Sequence, residues 1–293
     1  MWASGDGSEM KWIALLVIVA FAATIAVIFV YAARRWKSGT EKLRARLDLA
    51  RRPIGTKTYD PSELIGLPEP VQRYFRATLS GGQQVVAAVN VEHSGTFNQS
   101  DARERWKPFV STQRVVTQRP GFDWDARIAM MPGVAVCVHD AYVAGEGLLH
   151  VALFGLVPLA NLRGTPALAQ GELMRFFAEA AWYPTALLPS QEVQWKGVDD
   201  RSAMATLRDG DNEVTLLFRF NEHDLIESFH SEGRGAMVGK DIVMLPWEGR
   251  MSNYQTHSGM TVPLTGEVAW VRPEGRQPYW RGLITSLRYE FAS

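Results

Sequence analysis

Six histidines, two helix-borne glutamates, one cysteine and one arginine on an apolar strand face carry most of the chemistry this chain could offer. His93, His139, His150, His223, His230 and His257 are scattered, without the short spacings that gather imidazoles around a metal, so no metal site is expected. His93 falls on the apolar side of its strand, the ordinary setting of a core histidine bonded to a neighbour, and His223 sits in the polar turn "NEHD". Glu172 and Glu179 have the right type for acid–base work, but helix carboxylates near Arg175 are more simply ion-paired. Cys137 lies in the apolar run "GVAVCVHD" with no helix start beside it, which predicts a buried structural thiol rather than a nucleophile. "GRGAMVGKD" has the outline of a phosphate loop, yet Arg234 stands where its first glycine belongs and Asp241 replaces the hydroxyl residue. A glycine-rich hairpin turn is expected there, and no cofactor. Arg281 interrupts the apolar side of the last strand, where a charge requires a partner, an anionic ligand or a route to solvent.

The elements that must position these residues fall into three segments: 1–33, 34–60 and 61–293. Within the first, "WIALLVIVAFAATIAVIFVYAA", Trp12 to Ala33, holds 22 residues without a charge. At about 1.5 Å per residue such a helix crosses a hydrocarbon core of about 30 Å. Trp12, Tyr31 and Trp36 flank it as interfacial rings do. A cleaved signal peptide fits less well, because the preceding "MWASGDGSEMK" is acidic and no small-residue cleavage site follows. Residues 34–52 carry eight basic and two acidic residues, against one lysine before the span. The charge rule then places the larger C-terminal part in the cytoplasm of a single-pass protein. This basic segment reads as a helix with Trp36, Leu43, Leu47 and Ala50 near one face, ended by Pro53 and followed by the linker "IGTKTYDPSE".

A short helix from Pro68 buries Val71, Tyr74, Phe75 and Leu79, and beyond Gly82 the apolar period changes from 3.6 to 2. Ten or eleven strands with tight turns predict an antiparallel sheet, wet on one face and curled to hide the other. One helix interrupts it. In "GELMRFFAEAAWYPTALLP", preceded by the Thr165-Pro166 start, Leu173, Phe176, Phe177 and Ala180 form an apolar stripe over 166–182. The predicted fold is mainly β (α+β): a curled antiparallel sheet, or incomplete barrel, with this helix as lid and one transmembrane helix in front.

The layout resembles an uncharacterised bacterial family of membrane-anchored proteins, most specifically in "LPEPVQRYFRATL", "MRFFAEAAWYPTALLP" and "GEVAWVRPEGRQPYWRGLITSLRYEF". In outline it is also similar to the lipoprotein-localisation factors of the LolA/LolB type, which fold an incomplete barrel over a helical lid to hold acyl chains. That resemblance implies a lipid-sized cavity, while the uncharged span and the likeness to the membrane-anchored family place the chain at the bacterial inner membrane. The expected function is therefore a non-enzymatic, membrane-tethered cup for an apolar or amphipathic small molecule, with a partly unfilled hollow. Its wall is expected from strand positions such as Leu283 and Tyr289, its lid from Phe176, Phe177, Trp182 and Tyr183, and a headgroup contact from Arg281. Two other readings are a protein-binding scaffold at the membrane, and an enzyme on a lipid-like substrate using Glu179, His93 or Arg281. With residues 34–52 set aside, the neutral chain is net acidic, which excludes nucleic acid as a partner on charge.

Overall fold

A computed structural model describes residues 6–99, 104–238 and 241–293, with side chains described outside 6–9, 237, 238 and 241. The expected turn at Gly239 and Lys240 and the first five residues of the leading segment lie outside the described residues.

The first element is a single helix, α1 (Asp6–Leu49), so the apolar segment and the basic segment are continuous rather than separate units. Its Met10–Leu49 stretch is long and apolar enough to cross a membrane, and its apolar side chains up to Tyr31 are exposed. Ala32, Trp36, Thr40, Leu43 and Leu47 recur at steps of three and four and are all buried. That stripe is the docking face of the helix. A short helix, α2 (Glu69–Thr78), follows, with Val71, Tyr74 and Phe75 inward as expected.

Thirteen strands then form one open antiparallel sheet. The first six are β1 (Val86–Asn98), β2 (Trp106–Val116), β3 (Gly121–Met131), β4 (Val134–Val143), β5 (Glu146–Leu153) and β6 (Val157–Arg163). Helix α3 (Pro166–Ala178) and three 3-10 turns up to Gln191 intervene. The rest are β7 (Gln194–Asp199), β8 (Ser202–Asp209), β9 (Asn212–Phe220), β10 (Ile226–Val238), β11 (Asp241–His257), β12 (Met260–Arg272) and β13 (Gly275–Phe291). The spatial order runs β6-β5-β4-β3-β2-β1-β13-β12-β11-β10-β9-β8-β7. Each half of the chain is a meander, and the first and last strands join them at the centre. The mid-chain segment must therefore travel from one edge strand to the other, and it does so across the concave face. That path explains the lone interruption of a β-rich sequence.

A row of three paired glycines, Gly95, Gly282 and Gly266, crosses β1, β13 and β12 on the inner face. The Trp280 ring lies over it: a Cβ on Gly282 would sit 2.1 Å from that ring, and one on Gly266 3.3 Å from it. Side chains there would push the ring off the backbone and flatten the curl. Gly282→Ala should lower the unfolding free energy by about 1–3 kcal/mol, as overpacking does, measured by urea unfolding of the detergent-solubilised protein.

The outer face is not uniformly wet. Leu43 and Leu47 of α1 cover Ala88, Val116, Ala141, Val143 and Leu148, and Trp36 covers Cys137 and Ala152. Gly39 lets the helix come close to the His139 ring, and Gly155 lies against Trp36. The period-2 pattern predicted a solvated face because it cannot register a helix packed from outside.

Candidate functional site

Within the cup, α3 carries Glu172 and Arg175 inward, onto the concave face of the sheet, and Glu179 follows at the start of the next turn. Arg175 Nε donates to Glu179 Oε1 at 2.7 Å, and its Nη1 donates to Asp140 Oδ2 at 2.7 Å. Gln113 Nε2 donates to the other oxygen of Glu179. The guanidinium also lies 4.9 Å from the ring centres of both Phe122 and Trp124, as a desolvated cation–π contact does. Beside it, Arg234 of β10 donates to Glu172 Oε1 at 3.2 Å, to the Gly171 carbonyl at 3.1 Å and to the Tyr279 hydroxyl at 3.3 Å.

Three carboxylates and two guanidiniums in one dry cluster do not balance unless one carboxyl is neutral. Burial, reinforced by the Asp140 charge, pushes the Glu172 carboxyl up to about 8. Glu172 Oε2 and Asp140 Oδ1 are both buried and without a donor. A proton held on Glu172 supplies that donor and leaves two cations facing two anions. His93, buried nearby, is pushed down to about 3 by burial and by Arg175, so it is neutral at physiological pH.

The hollow expected to be partly open is occupied by the crossing segment itself. Phe176, Phe177, Trp182 and Tyr183 come together there, all buried. Tyr183 Oη donates to the Phe176 carbonyl at 2.6 Å, and Tyr289 Oη to the Trp182 carbonyl at 2.7 Å, which ties the segment to the last strand. Arg281 and Leu283 are placed on the other face. Register shifts in β13, one against β12 near Tyr279 and one against β1 near Thr285, bring Trp280 and Ile284 inward and turn Arg281 and Leu283 outward. Leu283 is 43% exposed, and Arg281 donates from Nε to Glu267 at 2.6 Å with its guanidinium 4.2 Å from the Trp106 ring centre. A uniform alternation could not foresee bulges, each of which reverses the phase.

On the outer face, α1 and the sheet enclose a cleft of about 610 Å3. Its floor follows from strand register. One row runs Cys137, Arg127, Val110, Ser94, Leu283, and the next runs His139, Asp125, Thr112, Glu92, Ser286. The helix wall presents Ala33, Trp36, Lys37, Thr40, Glu41 and Arg44. Trp36 stacks on His139 at 4.0 Å between ring centres and donates from Nε1 to Asp125 Oδ1 at 2.9 Å. Arg44 Nε donates to the fully buried Asp123 at 2.8 Å. Arg127 forms no hydrogen bond or ion pair with any described residue.

Thr40, Asp125 and His139 form a hydroxyl–carboxylate–imidazole group, but its wiring is not that of a nucleophile. Thr40 Oγ1 is the central atom, 2.7 Å from Asp125 Oδ2 and 2.8 Å from His139 Nε2. The hydroxyl donates to the carboxylate and accepts from the imidazole N–H. The imidazole, spent as a donor, is therefore not free to take its proton, whereas a catalytic triad places the imidazole in the middle as the base. Burial raises the Asp125 carboxyl, yet the hydrogen bonds from His139, Trp36 and Thr40 outweigh it and hold the group below its ordinary range. The group fastens helix to sheet. Among the described residues, no cluster of three or more His, Cys, Asp or Glu side chains could hold a metal ion.

These features define a class: a single-layer antiparallel β-cup stoppered by its own edge-to-edge segment and riveted from outside to a long, partly apolar N-terminal helix. The chain belongs to DUF6920, a family of unknown function whose model matches residues 65–289. No curated protein matches the sequence. Among solved structures, a LolA superfamily protein from Nitrosomonas europaea is similar at 12% identity over 75% of this chain and 93% of that one, with a TM-score of 0.33.

The sequence did not single out Thr40, Arg127 or Asp140. A usable signal was present: a helix with a surplus of six positive charges needs acidic company, and Asp123 and Asp125 alternate on the polar side of one strand.

Proposed function

We propose that the protein is a membrane-tethered β-cup that binds an amphipathic small molecule without acting on it chemically, and that the cleft beneath α1 is its site. The observation that carries this reading is the cleft itself. Its volume of about 610 Å3 lies in the range of small-molecule pockets. Its lining pairs apolar surface at Trp36, Val110 and Cys137 with an uncommitted cation, Arg127. It starts at Ala33, the last residue of the uncharged tract, so an amphiphile leaving the bilayer along α1 meets it first. In this reading α1 crosses the bacterial inner membrane with the basic side, and hence the cup, in the cytoplasm. Arg281 and Leu283 extend the outer-face floor toward the same ligand. Withdrawal of the crossing segment, with the lid residues Phe176, Phe177, Trp182 and Tyr183 that it carries, would bare a second, concave surface at Tyr289 for the apolar part of the ligand.

To test this, the full chain is purified in mild detergent and its extract analysed by lipid mass spectrometry, alongside displacement of a fluorescent anionic amphiphile. A co-purifying acidic amphiphile is expected, with affinity for the probe reduced about tenfold or more by Arg127→Glu, the loss of one charge-assisted hydrogen bond. Ligand-free protein that ignores the probe would overturn the reading. The filled interior favours a second reading, a scaffold that docks a protein along its outer face, and a protein captured by wild type but lost in Arg127→Glu would support it.

A further inference from the structure

Two hairpin tips beside α1 have no polar purpose. From Ile128 to Val138, and from Val151 to Leu162, the sequence carries no charged residue. These tracts form the β3–β4 and β5–β6 turns. At their tips Met131 is 64% exposed, Val157 54% and Leu159 58%. Isolated exposed apolar residues need no explanation, but a contiguous group at one end of a molecule does.

Their position relative to α1 supplies the explanation. The Phe154 ring, in the β5–β6 turn, packs edge-on against Phe29 with centroids 5.3 Å apart, and Phe29 lies within the uncharged tract of α1. Gly155 lies against Trp36. The β3–β4 tip reaches farther, because Val136 pairs with Leu153 and the turn at Met131–Val134 continues beyond it. At about 3.3 Å per strand residue and 1.5 Å per helix residue, a few extra strand residues run level with two turns of helix. The opposite end of the same strands is different: Arg46 pairs with Glu146, and Arg119 pairs with the buried Asp209. The apolar rim is also bounded laterally, since the β1–β2 loop ends in Glu104 and Arg105.

From this juxtaposition we infer that the β3–β4 and β5–β6 tips enter the leaflet that α1 leaves, so that the cup is seated in the lipid and not merely hung from it. The partner is the bilayer, identified by the continuity of the exposed apolar surface of α1 through Phe29 and Phe154 to the two tips. The inference rests on the proposal that α1 crosses the membrane. Seating the rim in lipid also brings the mouth of the cleft to headgroup level.

The test uses the full chain with Cys137→Ala, reconstituted into phosphatidylethanolamine–phosphatidylglycerol vesicles. An environment-sensitive fluorophore is attached in turn to Met131→Cys, Val157→Cys, Phe21→Cys within the span, and Glu222→Cys on a polar turn. Expected are blue-shifted emission and quenching by acyl-chain nitroxide lipids at positions 131, 157 and 21, with position 222 quenched only by aqueous iodide. Lipid quenching at 21 with iodide quenching at 131 and 157 overturns the seated rim and leaves the tether standing. Iodide quenching at 21 as well overturns the tether, and the rim falls with it.

Discussion

Arg175→Met should lower the unfolding free energy by about 3–5 kcal/mol, a large share of the stability of an ordinary domain. The substitution nearly preserves volume and apolar packing against Phe122 and Trp124, so the loss isolates the charge. Without the guanidinium, Glu179 and Asp140 keep their burial but lose their shared cation, and Gln113 is the remaining donor to Glu179. The double variant Arg175→Met/Glu179→Gln removes one stranded anion and should recover part of the loss. Urea unfolding followed by tryptophan fluorescence measures both. A single-variant loss below about 1 kcal/mol would show that water reaches the cluster and screens it.

Glu172→Gln should change the pH dependence of stability rather than its value at acid pH. The carboxyl has an ordinary value of 4.5 and is raised to about 8 in the folded protein. The native state therefore binds more protons than the unfolded chain between those limits, and stability declines as pH rises through that window. Glutamine mimics the protonated acid, since its amide can donate to Asp140 while its oxygen accepts from Arg234. The variant should match wild type near pH 5 and exceed it by ~2–4 kcal/mol near pH 9, a magnitude set by about 1.4 kcal/mol per pKa unit with a discount for relaxation of the cluster. Parallel slopes in the two proteins would mean that Glu172 is ionised at neutral pH and serves as the counter-ion of Arg234.

Much of the architecture was written in local pattern. The uncharged tract Trp12–Ala33, the buried stripe of α2 and the Thr165 cap of α3 each depend on a few neighbouring residues. Thr165 accepts from the Leu168 N–H as a cap should. What stayed hidden depends on contacts distant in sequence. Leu283 was assigned to the inner face because a strand reads as unbroken alternation, and only the pairing with β1 reveals the extra residue at Thr285. The three glycines beneath Trp280 lie on three strands, so none marks the curl by itself. The site behaved likewise. Phe176, Phe177, Trp182 and Tyr183 were recognisable as a group, since they are close in sequence and lie on one short segment. The cleft was not recognisable, because it lies between α1 and residues more than forty positions downstream.

The unbroken α1 has a mechanical corollary. Were the cup joined to its span by a slack tether, the two would tumble independently and the cup would sample a hemisphere of positions. Here the rivets at Trp36, Thr40, Arg44 and Leu47 make helix and sheet one lever. With α1 in a bilayer, as proposed above, any lean of the helix imposed by a thinner bilayer or a neighbour pressing on it would swing the entire cup through the same angle. Under that proposal, bilayer thickness would be converted into the bearing of the cup relative to the membrane plane.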